Sequence, residues 1–453
     1  MTETRSFQSG GSTGSPDQAT PVAGSRAYRA IRSVLSFALR CFYRIERAGP
    51  PLPDGPLLLV GNHPNGLIDP ALMIAVSPRP LTFLAKEPIF RMPLLGTLVR
   101  ALGALPIVRV QDDPSRMREN LEALGAASRG LAEGRAIALF PEGRSHSEPS
   151  LGALKTGAAR MALQAGVPVR IVPLGLTYAK KGRFRSRVRV EFGPAFESTP
   201  GPAEPEQVRA LTERIAGALR AHTLELAAWE DLPLIEAADA LYVLATAAPA
   251  RDAERKRLFA RGLALLRAEQ PERAAELSTE VLAFQRRLTL TRAEANDLGI
   301  RYRPWTVLRF VLRNLTALVL GLPVAALGMV LFAIPVLGTR LALRLARTEP
   351  DMVATVKLLA GLVLGPLYVA ALSVGVGFWV GPCWGVGLAV LALPLALFTR
   401  RFVARRAEAI RDARLFFVLG NRSARKQQLL AEGQALAARV AAVADEVLPR
   451  LTG

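Results

Sequence analysis

The sequence predicts an α/β domain on a mixed, largely parallel sheet flanked by helices, followed by a helical region and C-terminal membrane helices. Three observations lead there. Between residues 56 and 193 short apolar runs alternate with segments of helical spacing or length, the alternation expected of crossover connections between parallel strands. Residues 203–300 then turn to repeated Ala, Leu, Glu and Arg with few β-branched residues, a composition that favours helix. Beyond residue 314 lie two apolar stretches of a length that suits a bilayer.

Taken in order, residues 1–25 hold no apolar core of signal-peptide type and are expected as a disordered tail that stays in the cytoplasm. Residues 26–48 read as a basic amphipathic helix. Ile31, Val34, Leu35, Ala38, Phe42 and Ile45 recur at three- and four-residue steps, with Arg29, Arg32, Arg40, Arg44 and Arg47 largely around the other side. Such a helix lies in a membrane interface or packs on the domain that follows, and the sequence leaves both open.

In the α/β domain, residues 50–202, PLLLVG, PLTFLA, ALPIVRV, AIALF and VRIVPLGLTY read as buried strands and RVRVEFG as a half-exposed one. PALMIAVS, MPLLGTLVRAL, PSRMRENLEALGAASRGLAEG and LGALKTGAARMALQAG are the helical segments between them. A helical region over 203–304 follows, with no fixed-period repeat.

Residues 305–400 hold the membrane segments: an uncharged stretch at 315–338, and one about twice the length of a single span at 358–398, expected as a helical hairpin turning near GPCWG. Arg309 and Arg313 precede the first. Arg340, Arg344 and Arg347 follow it, and Arg400, Arg401, Arg405 and Arg406 follow the second. The positive-inside rule puts all three groups in the cytoplasm. That requires 315–338 to re-enter rather than cross, with Pro323 and Pro335 as candidate breaks; three simple spans are the alternative. Residues 401–453 are expected as cytoplasmic helices, and the protein as integral to the cytoplasmic membrane with its α/β domain facing the cytoplasm.

The composition fits this division. Half of the 453 residues are hydrophobic although 21% are charged, and the mean hydropathy of +0.24 is high for such a chain. A net charge of +20 points to anionic partners. Arg outnumbers Lys, which suits forked phosphate contacts and equally a GC-rich genome. Cys41 and Cys383 form neither a metal-ligand spacing nor a disulfide framework, as in a reducing compartment. The basic residues are dispersed and no recognition motif accompanies them, which argues against nucleic acid. GALKTG lacks the lead-in of a phosphate-binding P-loop, and His and Cys are too few for a zinc site.

VGNHPNGLIDP sets His63 and Asp69 at the end of an expected strand, where open α/β sheets bind ligands. Each has an ordinary explanation: Asp69 before Pro70 makes a helix N-cap, and Asn65-Gly66 a turn. Yet His146, the other histidine of the α/β domain, also sits in a loop after a strand, in LFPEGRSHSEPSLGALKTG. A shared cleft is expected.

Four stretches, in order, resemble the motifs of the glycerol-3-phosphate and 1-acylglycerol-3-phosphate (lysophosphatidate) acyltransferase superfamily: NHPNGLIDP, KEPIFRMPLLGTLVRALGALPIVR, LFPEGRS and VPVRIVPLGL. Five residues separate His63 from Asp69 where the usual motif has four, and Arg144 follows Gly143 directly. Both features are most similar to the branch with fungal acyltransferases that accept glycerol-3-phosphate or dihydroxyacetone phosphate. The resemblance implies transfer of a fatty acyl group from acyl-CoA or acyl carrier protein to a phosphorylated glycerol acceptor, and no cofactor or metal is expected; the hydropathy and the basic charge add anionic membrane lipids as expected partners. It implies a phosphate-binding set of Arg109, Arg144 and Lys155, with Lys86 and Arg91 as weaker members.

The chemistry also follows from the residues. A glycerol hydroxyl attacks a thioester poorly unless a base takes its proton; neutral His63 can do so while Asp69 holds the other ring nitrogen. The chain has no recognised nucleophile motif, which favours direct transfer over an acyl-enzyme. Glu142 is a candidate for binding an acceptor hydroxyl or holding a neighbouring arginine, Gly143 for close backbone approach to the ligand, and Ser145 for substrate contact. Other lipid acceptors, or an idle lipid-binding adaptor, are the rival readings.

Overall fold

The computed structural model describes residues 24–93, 95–108, 117–249, 252–291, 293, 295, 304–346, 348–418 and 424–452. The expected tail therefore lies outside the described residues up to position 23.

The chain opens with α1 (Arg26–Phe42), capped by the Ser25 hydroxyl, which accepts from the Tyr28 N–H at 3.1 Å. The expected helix over 26–48 stops here: Tyr43–Ala48 is a strand, β1, whose alternating residues pair in parallel with a strand far along the chain. The α/β unit thus begins near residue 43 rather than 50. Tyr28, Ala38, Leu39 and Phe42 pack inward, and the Tyr28 phenol accepts from the Leu81 N–H at 2.9 Å. Packing on the domain is what the structure assigns to α1, while Val34 and Phe37 stay exposed on its outer side.

The domain continues as β2 (Leu57–Gly61), α2 (Ile68–Val76), β3 (Leu81–Lys86), α3 (Glu87–Arg91), α4 (Leu95–Ala101), β4 (Leu105–Ile107), α5 (Met117–Ala132) and β5 (Ala136–Leu139). Next come α6 (Gly157–Leu163), β6 (Val169–Tyr178), β7 (Ser186–Phe192) and β8 (Phe196–Ser198). The sheet runs β1-β7-β6-β2-β5-β3-β4, with β8 also on β6. Its pairs are parallel except β6–β7 and β6–β8. Leu57, Leu58, Leu59 and Val60 on the central β2 are each 0% exposed; burying each such side chain stabilises by about 1.5–3 kcal/mol. The carboxyl ends of β2, β5 and β6 come side by side, because β2 pairs in parallel with both neighbours.

The helical region is α7 (Pro205–His222), α8 (Asp231–Thr246), α9 (Ala253–Glu269) and α10 (Pro271–Thr291). Its apolar core is completed from the far end of the chain by α15 (Ala424–Val447), whose Leu429, Leu436, Ala437 and Val440 pack with Leu241, Phe284 and Leu288.

The apolar segments are α11 (Pro304–Leu331), α12 (Ala333–Ala346), α13 (Val353–Trp379) and α14 (Pro382–Val418). Three of them, α11, α13 and α14, are long and apolar enough to cross a bilayer. α13 and α14 form the hairpin, turning at Val380 and Gly381. α14 runs unbroken past residue 400, so no boundary separates 401–418 from the hairpin. α11 lies antiparallel to α14: the Asn314 carbonyl accepts from Arg406 at 2.8 Å, Gly321 faces Phe402 and Gly328 faces Thr399. The helix breaks at Phe332, not at Pro323. Pro335 has no N–H for the carbonyl of Leu331 four residues back. α12 then returns along α13, with Gly338 facing Leu364. Arg309, Arg313, Arg340, Arg344, Arg400, Arg401, Arg405 and Arg406 consequently lie towards the α/β domain, and Cys383 and Trp384 at the opposite tip. Arg347 lies outside the described residues.

Candidate active site

The loop after β2 is fixed before any side chain of interest is placed. Asn62 imitates a strand residue: its amide donates to the Leu176 carbonyl at 3.1 Å and accepts from the Leu176 N–H at 2.7 Å, extending the β2–β6 pairing. The chain then turns through Gly66 at φ +38°, where a Cβ would meet the Met352 sulfur at 2.4 Å. Only glycine combines that backbone with so close a neighbour.

His63 Nδ1 lies 2.9 Å from Asp69 Oδ2. Asp69 is not the helix N-cap expected from its Pro70 neighbour. Leu67 holds that position and makes no side-chain cap bond, while the Asp69 carboxylate, 0% exposed, turns back into the loop. Its Oδ2 also accepts the Asn65 N–H at 2.6 Å, and its Oδ1 accepts the Tyr178 phenol at 2.5 Å. Burial, reinforced by the Asp69 charge, pushes Tyr178 well above its ordinary pKa, so the phenol stays a donor. Tyr43 is pushed up chiefly by burial too; its hydroxyl accepts from the Asn65 amide at 3.2 Å and donates to the Lys181 carbonyl at 2.5 Å. With an ionised Asp69, this arrangement places the imidazole proton on Nδ1 and leaves Nε2 with its lone pair. His63 Nε2 has no protein partner among the described residues, and the ring stacks on Phe140, centroids 3.9 Å apart.

The loop after β5 closes over this pair. Glu142, 6% exposed, braces three segments: Oε1 accepts the His63 N–H at 2.9 Å, Oε2 accepts the Gly152 N–H at 2.8 Å, and Oε2 also meets His146 Nε2. It holds the loops where the sequence suggested an arginine or a substrate hydroxyl as its partner. His146 Nδ1 accepts from the Glu148 N–H at 3.2 Å, so both its ring nitrogens are occupied.

The other expected site residues are placed as follows. Gly143 adopts φ +72°, and a Cβ there would lie 2.7 Å from Lys155 Cε, so Lys155 crosses directly over the loop. Arg144 and Lys155 are exposed. Ser145 donates to Asp351 Oδ2 at 2.5 Å, tying the loop to the residues before α13. Lys86 is exposed at the end of β3, and Arg91 is paired with Glu87. Arg109 lies outside the described residues.

A cleft of about 540 Å³ opens beside His63, Glu142 and His146. Its far wall comes from the helical region: Trp229, Leu232, Ala240 and Val243, with Lys256 on α9. Trp229 donates from its indole to the Ser147 carbonyl at 2.6 Å. The sequence assigned no role to the helical region over 203–304; its residues form a wall of the cleft. Tyr178, Asn65, Phe140 and Lys181 were not singled out by the sequence. The signal for Tyr178 was its place at the end of a strand parallel to β2.

A family model described as Acyltransferase matches residues 44–177. The chain is 30% identical over 144 residues to the chloroplastic 1-acyl-sn-glycerol-3-phosphate acyltransferase LPAT1 of Arabidopsis thaliana, covering 31% of this chain and 38% of that one. It is 36% identical over 129 residues to glycerol-3-phosphate O-acyltransferase 1 of Saccharomyces cerevisiae, covering 25% and 17%. It is 33% identical over 130 residues to the lyso-ornithine lipid O-acyltransferase of Pseudomonas aeruginosa, covering 29% and 46%. The match spans less than half the length of each relative. The matched residues contain both the paired His63 and Asp69 and the loop that braces them, so residues 44–177 match the Acyltransferase model and are similar to glycerol-3-phosphate and 1-acylglycerol-3-phosphate acyltransferases over the site itself.

Proposed function

We propose that the protein is a membrane-bound O-acyltransferase that moves a fatty acyl group from a thioester donor, acyl-CoA or acyl carrier protein, to a hydroxyl of glycerol-3-phosphate or 1-acylglycerol-3-phosphate, forming phosphatidic acid or its precursor. The observation that carries this is the His63 ring, held through Nδ1 by a buried carboxylate with Nε2 open beside the cleft. In the proposed reaction Nε2 takes the proton of the acceptor hydroxyl as its oxygen bonds to the thioester carbonyl. The oxyanion collapses, the C–S bond breaks, and the imidazolium returns the proton to the departing thiolate. Asp69 stabilises the imidazolium meanwhile. The thioester supplies the leaving group, so the reaction needs no cofactor. Arg144, Lys155 and Arg109 are the proposed phosphate ligands, with Lys86 and Arg91 as weaker ones. α11, α13 and α14 anchor the chain in the cytoplasmic membrane, with the catalytic domain on the cytoplasmic side, where anionic head groups meet the arginines at the helix ends.

The full chain in detergent, given labelled acyl-CoA and a panel of acceptors, tests this. Transfer to glycerol-3-phosphate or its 1-acyl form is expected, lowered about 10²- to 10⁴-fold by His63→Ala with the circular dichroism spectrum retained. Transfer that survives the substitution would refute the general-base role. Transfer only to a lysolipid such as lyso-ornithine lipid would instead favour the second reading, which the Pseudomonas relative motivates. Absence of transfer to any acceptor would leave the lipid-binding adaptor.

A further inference from the structure

The cleft beside His63 is lined by cations on the β6–β7 hairpin, whereas Arg144 and Lys155 do not line it. Lys181, Arg187 and Arg189 all line it. Arg189 is taken up by Glu191 at 2.7 Å. Lys181 and Arg187 have no carboxylate partner among the described residues. The Lys181 ammonium meets only a neutral hydroxyl, Ser147 Oγ, at 3.1 Å. Burial lowers its pKa, although Asp69 and Asp351 pull the other way. A half-buried ammonium with one neutral acceptor has lost hydration without gaining a counter-ion.

Four of the carboxylates that share the cleft are engaged elsewhere. Glu142 is held by two N–H groups and His146. Asp239 pairs with Arg255 at 2.6 Å, Glu225 accepts the Leu151 N–H at 3.1 Å, and Glu236 stands 3.6 Å from Lys256. Glu148 is exposed to solvent, as is Glu46 on β1, which pairs in register with Arg189. The corner between Lys181, Arg187 and the Ser147 loop therefore carries positive charge that no carboxylate contacts directly among the described residues. The partly exposed ring of Trp229, pinned to Ser147, closes it from the helical region.

We propose that Lys181 and Arg187 form a binding site for a phosphate ester of one of the two substrates, on the wall of the cleft made by the β6–β7 hairpin. The identity of those substrates rests on the acyl-transfer reading above. The phosphate belongs either to the coenzyme part of the donor or to the glycerol acceptor, and one guanidinium fork with one ammonium suits either.

Titration calorimetry of the full chain in detergent with coenzyme A and, separately, glycerol-3-phosphate distinguishes the sources. In the Lys181→Gln, Arg187→Gln double variant the affinity for one ligand is expected to fall about 10- to 100-fold. Loss for coenzyme A assigns the site to the donor, and loss for glycerol-3-phosphate assigns it to the acceptor. Lys181→Arg, which keeps the charge, retains binding. Unchanged affinity for both ligands in the double variant overturns the proposal, as does a wild-type chain that binds neither. Binding requires no turnover: a chain that binds through these residues yet transfers no acyl group sinks the acyl-transfer reading and leaves this site standing.

Discussion

Tyr178 hydrogen-bonds Asp69 from 109 positions along the chain, at 2.5 Å, and completes the carboxylate that orients His63. Tyr178→Phe keeps the ring packing and removes that donor. kcat is expected to fall about tenfold with KM little changed, measured by steady-state kinetics; a change in KM alone would place Tyr178 in substrate binding. Gly66→Ala puts a side chain at φ +38° against Met352. It should destabilise by about 1–3 kcal/mol, read as a lower unfolding midpoint in detergent. His63 and Asp69 stood out in the sequence because they are six residues apart in a recognisable motif. Tyr178 and Lys181 did not, because a contact across the β2–β6 register leaves no local pattern. The ordinary reading of Asp69 as an N-cap failed for a related reason: its neighbour Pro70 is visible in sequence, but the phenol and imidazole that draw its side chain away are not.

At the scale of elements, Glu191 on β7 joins three pieces of secondary structure. It receives Arg189 at 2.7 Å from its own strand, His222 at 3.1 Å from α7 and Arg257 at 2.8 Å from α9. Burial alone would raise its pKa, but the hydrogen bonds from His222, Arg257 and Arg189 together hold it well below the usual carboxylate range. A depressed carboxylate contributes stability that is complete above its ordinary pKa of about 4.3 and is lost as the pH falls through the folded value. Glu191→Gln should cost about 3–5 kcal/mol at neutral pH, because Arg257 is left buried without its counter-charge. The cost should shrink as the pH drops below about 4, followed by chemical denaturation. A cost independent of pH would assign the loss to packing alone. Most strands of the α/β domain were legible as apolar runs, whereas β1 was absorbed into the expected helix. Its residues, Tyr43–Ala48, carry three charges on an edge strand, and only pairing with β7 makes them a strand.

For the whole molecule, the path of the apolar helices sets how the domain meets the membrane. α11 and α12 turn back at Phe332, and Asp351 and Met352 then sit on the loops after β5 and β2 through Ser145 and Gly66 before α13 departs. An impermeant thiol reagent should therefore label Cys383 in a Cys41→Ser variant from the face opposite the catalytic domain. A cysteine placed by Pro350→Cys in a chain lacking both native cysteines should label from the catalytic face. Labelling of position 350 from the opposite face would establish three simple crossings. Asp351→Ala should lower kcat about tenfold by freeing the Ser145 loop, measured on the detergent-purified chain.

By itself, the sequence determined the order of the parts, the likeness of residues 44–177 to acyltransferases, the paired His63 and Asp69, and the hairpin with its arginine-flanked ends. These depend on composition, periodicity and short motifs, which neighbours in the chain carry. The tertiary structure alone decided that α8 and α9 wall the cleft, that α15 completes the helical core, that Lys181 and Arg187 line the cleft, and that α13 starts beside the loop after β5. Each of these is a meeting of surfaces far apart in the chain, settled by which faces bury one another and which charges find partners.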